Sequence, residues 1–375
     1  MAVEIVFWTA SLLLAWVYLG YPAFVAVIGR VRPFRLRPAG PMPSVSVAIA
    51  VHNEAAQMAD RIANVLAQDP AGSLIVEVLV GSDGSTDGTD ATVRQIAKTN
   101  PRVRLVAVER AGQTAAQDAL FRVARGEVVV LTDAETRFGS GCVERLADAF
   151  RDPRVGCATG RLEWRAEDAT ATSANEGAYW RYERAVRAAE SRAGFLTAVT
   201  GAILAVRRST FRRVPPTASM DHLLPLYSRA AGYLVVYLSD ALATDRPMSG
   251  VREQFRNRAR TATQGIEANL SMIGRLAPWR HPRAAVSVWS HKILRWATPW
   301  LAVAAVAAAT ILGAEGQSAY LVVPGLVAVA GASAALAQLI SHAGRRPSRL
   351  IAFPRAFAVV NLAFAVAWIN VLRGR

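Results

Sequence analysis

The chain reads as an α/β domain with a mostly parallel, doubly covered sheet, set between membrane-spanning helices. Three observations predict this. Short β-rich runs alternate with helical patterns from residue 45 to about 240. Long uncharged apolar stretches flank that region on both sides. Of the 375 residues 53% are hydrophobic and only 19% charged, which is too apolar for an ordinary soluble enzyme.

In chain order, residues 5–28 are uncharged and long enough to cross a bilayer. They lack the basic start and small-residue cleavage site of a signal peptide, so residues 1–30 are expected to stay as an anchor. Glu4 precedes this span and Arg30, Arg32, Arg35 and Arg37 follow it, which predicts an outside N-terminus and a cytoplasmic continuation at the plasma (inner) membrane. The basic, Pro-rich residues 31–44 read as a linker. The α/β domain is expected over 45–250. Its strands are predicted at 45–51, 75–80, 103–108 and 127–131, and its helices at 54–68, 86–98, 113–125 and 140–151. A longer helix at 170–193 carries Tyr179, Trp180 and Tyr182. Strands near 196–206 and 233–238 flank a helix near 220–231.

Residues 251–283 hold seven Arg against two Glu, interleaved with Phe255, Ile266, Leu270, Met272, Ile273 and Leu276. That composition fits a helix on a membrane surface and equally a solvated basic face, and 251–287 is expected as a basic amphipathic segment. The remaining 288–375 supply three apolar spans, near 288–312, 318–341 and 350–372. Four spans would put the basic turn at 345–349 inside but leave Arg373 and Arg375 outside, against the charge rule. One of the last three spans is therefore a candidate for a re-entrant or interfacial segment.

The net charge is +15, carried by 41 Arg and only 2 Lys, a ratio that reads as genomic base composition rather than guanidinium chemistry. The basic residues cluster beside apolar spans, so anionic lipid head groups explain them and no nucleic-acid partner is expected. Cys142 and Cys157 show no metal-ligand spacing and read as buried free thiols. The first strand leads into AVHNEA rather than a Gly-x-Gly-x-x-Gly turn, and no Gly-x-x-x-x-Gly-Lys loop exists. Dinucleotide oxidoreductases and P-loop NTPases are disfavoured.

Ligands of such sheets bind at the carboxyl ends of strands, and His52, Asp83 and Asp133 all fall just past predicted strand ends. In LTDAET (131–136), Asp133 and Glu135 are hard oxygen ligands that suit Mg²⁺ or Mn²⁺ against nucleotide phosphates. Taken alone, such a pair after a strand is more often a helix N-cap region or a solvated turn. SDGSTDGT (82–89) reads as a turn and N-cap, or as a place where Asp83 meets a base or ribose. Asn53, between His52 and Glu54, is expected to cap the helix that follows. Asp221 by itself reads as the N-cap of helix 220–231.

Together these strings resemble the membrane-anchored, polysaccharide-synthase-like branch of the family 2 glycosyltransferases, which have a GT-A fold. The resemblance is carried in order by YLGYP (18–22), VSVAIAVHNE (45–54), SDGSTDGT (82–89), GQTAAQDAL (112–120), GEVVVLTDAET (126–136), EGAYWRYE (176–183), TGAILAVRRSTF (200–211), SMDHLLPLYSRAAGY (219–233), FRNRARTATQG (255–265) and SHKILRW (290–296). It implies that His52, Asn53, Glu54 and Asp83 line a nucleotide pocket, with Asp83 toward the base. It puts Asp133 and Glu135 at the family's Asp-x-Asp metal motif, Asp221 at the catalytic base and Arg260 near the diphosphate. The implied activity is inverting transfer from a nucleotide-sugar carrying UDP, with a divalent cation, to a glycan or lipid-linked acceptor at the cytoplasmic face of the bilayer. A polyprenyl-phosphate sugar transferase and a catalytically silent nucleotide-binding membrane protein are the alternatives. The chain departs from the family pattern at Glu135 (commonly Asp or Asn), Met220 (an acid), Ser82 (Asp), Gln113 (often Lys), Asn257 (Gln) and Thr261 (Trp).

Overall fold

The computed structural model describes residues 1–164, 171–246, 251–343, 345 and 348–374, and for 171–180, 251 and 349 the backbone only. The side chains of Tyr179 and Trp180, expected on the long helix, therefore lie outside the described residues. The domain is built on one mixed, mostly parallel sheet of β1 (Val45–Val51), β2 (Ile75–Asp83), β3 (Val103–Val108), β4 (Val128–Thr132), β5 (Arg137–Phe138), β6 (Val155–Trp164), β7 (Leu204–Arg207) and β8 (Leu234–Asp245). The spatial order is β3-β2-β1-β4-β7-β6-β8-β5. Strands β3, β2, β1 and β4 run parallel, β7 is antiparallel to both neighbours, and β6 and β8 pair in parallel. The near-continuous apolar sequence of β1 follows from burial on both faces by two separate cores, one with Val47 and Ile49 and one with Ala48.

This order positions the site. From β1 the chain winds outward through β2 and β3, then returns to lay β4 on the other side of β1. The crossovers diverge between β1 and β4, and a crevice opens beyond the carboxyl ends of those two strands. His52 follows β1, Asp133 follows β4, and Asp83 is the last residue of β2.

Several expected elements differ. The strand expected near 196–206 shrinks to β7, because Leu196 and Val199 are apolar for burial in the core rather than for pairing. Strands β5 and β6 were not expected. The small residues and two glycines of VGCATG hide β6, yet one of those glycines is required: a Cβ on Gly160 would stand 2.2 Å from the Ala241 carbonyl oxygen across the β6–β8 register shift. Cys142 and Cys157 are buried free thiols, as expected.

Among the described residues three helices are long and apolar enough to cross a membrane, Ala2–Val31, Ser318–His342 and Leu350–Leu372. The span expected at 288–312 is instead two helices, Pro282–Trp296 and Thr298–Ala314, bent by 62°. The break falls where Thr298-Pro299 follows Ala297, since proline lacks the N–H that a continuous helix needs. The basic segment forms helix Val251–Met272, whose Ala262 and Ile266 pack against Phe364 and Ala367 of the last helix. Much of its apolar face is thus covered by protein. The terminal helices hold one another: Phe7 meets Tyr320 edge-on at 4.9 Å, and Trp16 Nε1 donates to Ser290 Oγ at 3.0 Å.

Candidate active site

Two loops at the strand ends are fastened together by side chains bonding backbone. Asn53 adopts φ 57°, the left-handed region that Asn tolerates better than most residues. Its Oδ1 accepts from the Thr86 N–H at 2.8 Å, and its own N–H donates to Ser85 Oγ at 3.1 Å. Asn53 therefore does not cap the following helix: Glu54 occupies the cap position, and Asp87 Oδ2, from the other loop, accepts from Ala55 N–H at 3.0 Å. The Asn is used for a loop conformation that tertiary contact demands. His52 Nδ1 donates to the Asp83 carbonyl at 2.8 Å, leaving Nε2 as an acceptor.

Asp83 is 2% exposed, and both its carboxylate oxygens are engaged. They accept from Arg110 Nη1 at 2.8 Å, from Ala111 N–H at 2.7 Å and from Gly112 N–H at 3.0 Å. Asp83 thus shapes the 110–112 turn, and Arg110 becomes the exposed charge at this wall. A cleft of about 250 Å³ is lined by His52, Glu54, Asp83, Arg110, Gly112 and Gln113, with Ala50 and Val51 behind them.

At the end of β4, Asp133 is half-buried and Glu135 exposed. Gln113 Nε2 donates to Asp133 Oδ1 at 3.1 Å, so a neutral amide stands where the family often has a lysine. Burial, together with the carboxylates of Asp245, Asp221 and Glu135 and only partly offset by Arg61, pushes the Asp133 carboxyl up to about 6. A site this dense in carboxylate fits a divalent cation. Among the described residues no three His, Cys, Asp or Glu side chains converge tightly enough to hold a metal alone, so phosphate oxygens would have to complete the coordination.

Arg61, on the Ala55–Leu66 helix, is fully buried beneath this motif. Its Nε donates to the Asp133 carbonyl at 3.1 Å, its Nη2 to Thr132 Oγ1 at 2.7 Å and its Nη1 to Asn64 Oδ1 at 2.6 Å, while the guanidinium lies 4.4 Å from the Phe138 ring centre. Sequence reasoning missed Arg61 and Asp245, and marked Arg110 only as a charge close in sequence to Gln113. A signal existed for Arg61, because it shares a helix face with Met58, Ile62 and Val65, and a charge on an apolar face needs a reason. Asp245 had none, since its strand was expected to end at 238.

Asp221 is the second residue of helix Met220–Ala230. Ser219 occupies the N-cap position without a side-chain capping bond, and its hydroxyl donates to Asp221 Oδ1, so Asp221 is not the expected N-cap. Asp221 packs over Gly201, with its Cβ 3.3 Å from where a Cβ on that glycine would stand, and it faces Asp133 closely enough to shift its pKa. Arg260 is not drawn into this group. It is exposed on helix Val251–Met272 and donates to Asn257 Oδ1 at 2.8 Å.

The mostly parallel sheet, with a rim of carboxylates at its strand ends, is an α/β fold of the GT-A kind. A model described as glycosyl transferase family 2 matches residues 46–214. The chain is 32% identical over 124 residues to an N-acetylglucosaminyltransferase of Bradyrhizobium elkanii, covering 32% of this chain and 67% of that protein. It is 27% identical over 305 residues to one of Rhizobium meliloti, covering 72% and 71%. The first such relative, from Mesorhizobium japonicum, is 29% identical over 237 residues, and the chain spans about half its length. A mannosyltransferase of Pyrobaculum calidifontis, solved in complex with GDP-Man and Mn²⁺, superposes with a TM-score of 0.70 over 99% of both chains at 25% identity. The chain belongs to glycosyltransferase family 2.

Proposed function

We propose that the chain is a membrane-held, inverting transferase that moves a sugar from a UDP-linked donor to a glycan or lipid-linked acceptor in cell-surface polysaccharide synthesis. The observation that carries this reading is that Asp221 packs on Gly201 while Thr132, next to Asp133, donates to the neighbouring Ala202 carbonyl at 2.8 Å, which brings both acids to the β1/β4 switch point. The nucleotide would enter that cleft against His52 and Arg110. Asp133 and Glu135 would hold a divalent cation, which neutralises charge on the leaving diphosphate. Asp221 would take the proton from the acceptor hydroxyl as its oxygen attacks the anomeric carbon and the bond to diphosphate breaks. The named activities of the relatives support a hexosaminyl-type donor.

A screen of UDP release from different sugar nucleotides, with the protein in detergent, tests this function. Release from none would remove it. A calorimetric titration tests the cation: UDP is expected to bind more tightly with Mn²⁺ than without it, and Glu135→Ala to remove the difference. Equal affinity in all four measurements would exclude Glu135 from the site.

The bent helix pair leaves two topologies. If it crosses the membrane as one span, Arg345 is cytoplasmic and the turn at 313–318 outside. If it re-enters, the sides exchange. The larger charge excess at 345–349 favours the first. Because the two native thiols are buried, cysteines introduced at exposed Arg35 and Gln317 give a clean reading. They are expected to label from opposite sides of sealed cells, and labelling from one side would select the re-entrant form.

A further inference from the structure

The string SHKILRW has no part in the chemistry above, yet it builds the most charged interior of the molecule. His291 sits between two buried glutamates of helix Ala171–Ala193, with Nδ1 3.0 Å from Glu190 Oε2 and Nε2 3.3 Å from Glu183 Oε1. Arg295 Nη1 reaches Glu183 Oε2 at 3.0 Å, and Arg187 Nε reaches Glu183 Oε1 at 3.3 Å. Glu190 also accepts from Ser287 Oγ at 2.8 Å and from the Tyr21 hydroxyl of the N-terminal helix. Burial pushes the Glu183 carboxyl up, but His291, Arg295 and Lys292 outweigh it and hold it well below the usual carboxylate range.

Lys292 stands apart within this cluster. Its nearest carboxylate oxygen, Glu183 Oε1, is 3.7 Å away, beyond hydrogen-bonding distance, and its side chain keeps 17% exposure. Arg187, Arg295, Lys292 and the His291 ring thus all approach these two glutamates in a desolvated place.

One packing route leads from Lys292 to Asp221, and a second leads there from Arg187, which shares Glu183 with it. Its ammonium lies 5.9 Å from the Trp296 ring centre, and Trp296 and His222 both pack on Gly265, with atoms 2.7 and 3.2 Å from where a Cβ would stand. His222 adjoins Asp221 in sequence. On the other side, Arg187 Nη1 donates to Thr200 Oγ1 at 2.7 Å, and Thr200 precedes the Gly201 on which Asp221 packs. Lys292 also lies just before the 62° bend, where Trp289 and Trp300 expose apolar surface.

We propose that the Lys292 ammonium binds the phosphate of a lipid-anchored acceptor, whose tail lies along the bent segment 282–314 and whose reacting group meets Asp221. An ammonium with three donors and no close acceptor suits a phosphate oxygen, and the apolar bend supplies the tail's surface. This assignment rests on the acceptor-side role given to Asp221 above.

The test exploits the chain having two lysines only, Lys292 and the exposed Lys98. The full chain in non-ionic detergent is acylated with acetic anhydride and each lysine peptide is followed by mass spectrometry. Dodecyl phosphate is expected to slow acylation of Lys292 about tenfold and leave Lys98 unchanged. Dodecanol and inorganic phosphate at the same concentration should do neither. Equal rates with and without dodecyl phosphate would overturn the proposal. So would equal protection by dodecanol or by inorganic phosphate, or protection by UDP with Mn²⁺ alone, which would move Lys292 to the donor side. Binding of dodecyl phosphate should weaken about tenfold in Lys292→Gln, recover in Lys292→Arg and be unaffected by Arg280→Gln. UDP affinity measured on the same samples reports separately on the nucleotide reading, so failure of one is not mistaken for failure of the other.

Discussion

Asp221→Asn is expected to lower sugar transfer by about 10²–10⁴-fold with donor binding intact. The substitution keeps the size of the side chain and the Oδ1 that accepts from Ser219. Because Ser219 holds the N-cap, the helix start survives. Only the favourable placement of a negative charge in the first turn is lost, worth about 0.3–1 kcal/mol. A structural role therefore predicts near-normal folding and activity, and a general base predicts near-normal folding with little activity. Transfer and UDP affinity measured side by side decide between them. Retained transfer would remove Asp221 from the chemistry, and lost UDP binding would shift it to the donor side.

Arg61→Met should be the most damaging change away from the cleft surface. Methionine keeps an apolar stem in the same space but removes every guanidinium hydrogen bond. Thr132 Oγ1 still donates to the Ala202 carbonyl at 2.8 Å, and Asn64 Oδ1 still accepts from Phe138 N–H at 2.9 Å, so the Asp133 carbonyl is the group left without its partner. An orphaned buried acceptor costs about 1–3 kcal/mol. Since that carbonyl belongs to the residue offered to the cation, Mn²⁺-dependent UDP binding should weaken by about tenfold or more. Arg61→Lys, with charge but no planar fork, should recover stability better than it recovers cation dependence. Denaturant unfolding beside calorimetry checks both. Unchanged cation dependence in Arg61→Met would show that the β4 terminus holds its shape unaided.

The contrast between β1 and β6 shows what was legible. VSVAIAV announces a buried strand because burial on both faces makes a continuous β-branched run. In β6 the close approach of Ala241 forces Gly160, and glycine erases the pattern that would have revealed the strand. The long apolar run at 288–312 conceals a different fact, since hydropathy does not register a bend at Ala297 or the buried partners of His291 and Arg295. Asp133, Glu135 and Asp221, the acids of the proposed site, are picked out by motif strings alone. Asp245 is not, because its strand runs past the expected end, and Arg61 shows only as a charge on an apolar helix face whose partners are distant in sequence.

By itself the sequence determined the α/β alternation, the apolar helices and the placement of His52, Asp83 and Asp133 at the carboxyl ends of strands. These depend on periodicity and on local strand-to-loop transitions, which are written in adjacent residues. Only the tertiary structure decided which side chains are already spent. It ties Asp83 to Arg110 and two backbone amides, uses Asn53 to lock two loops, leaves Arg260 on an exposed helix face, and gathers the SHKILRW charges around Glu183 and Glu190. The physical reason is that a polar group's role is set by the partners that replace water when it is buried, and those partners come from elements far apart in the chain.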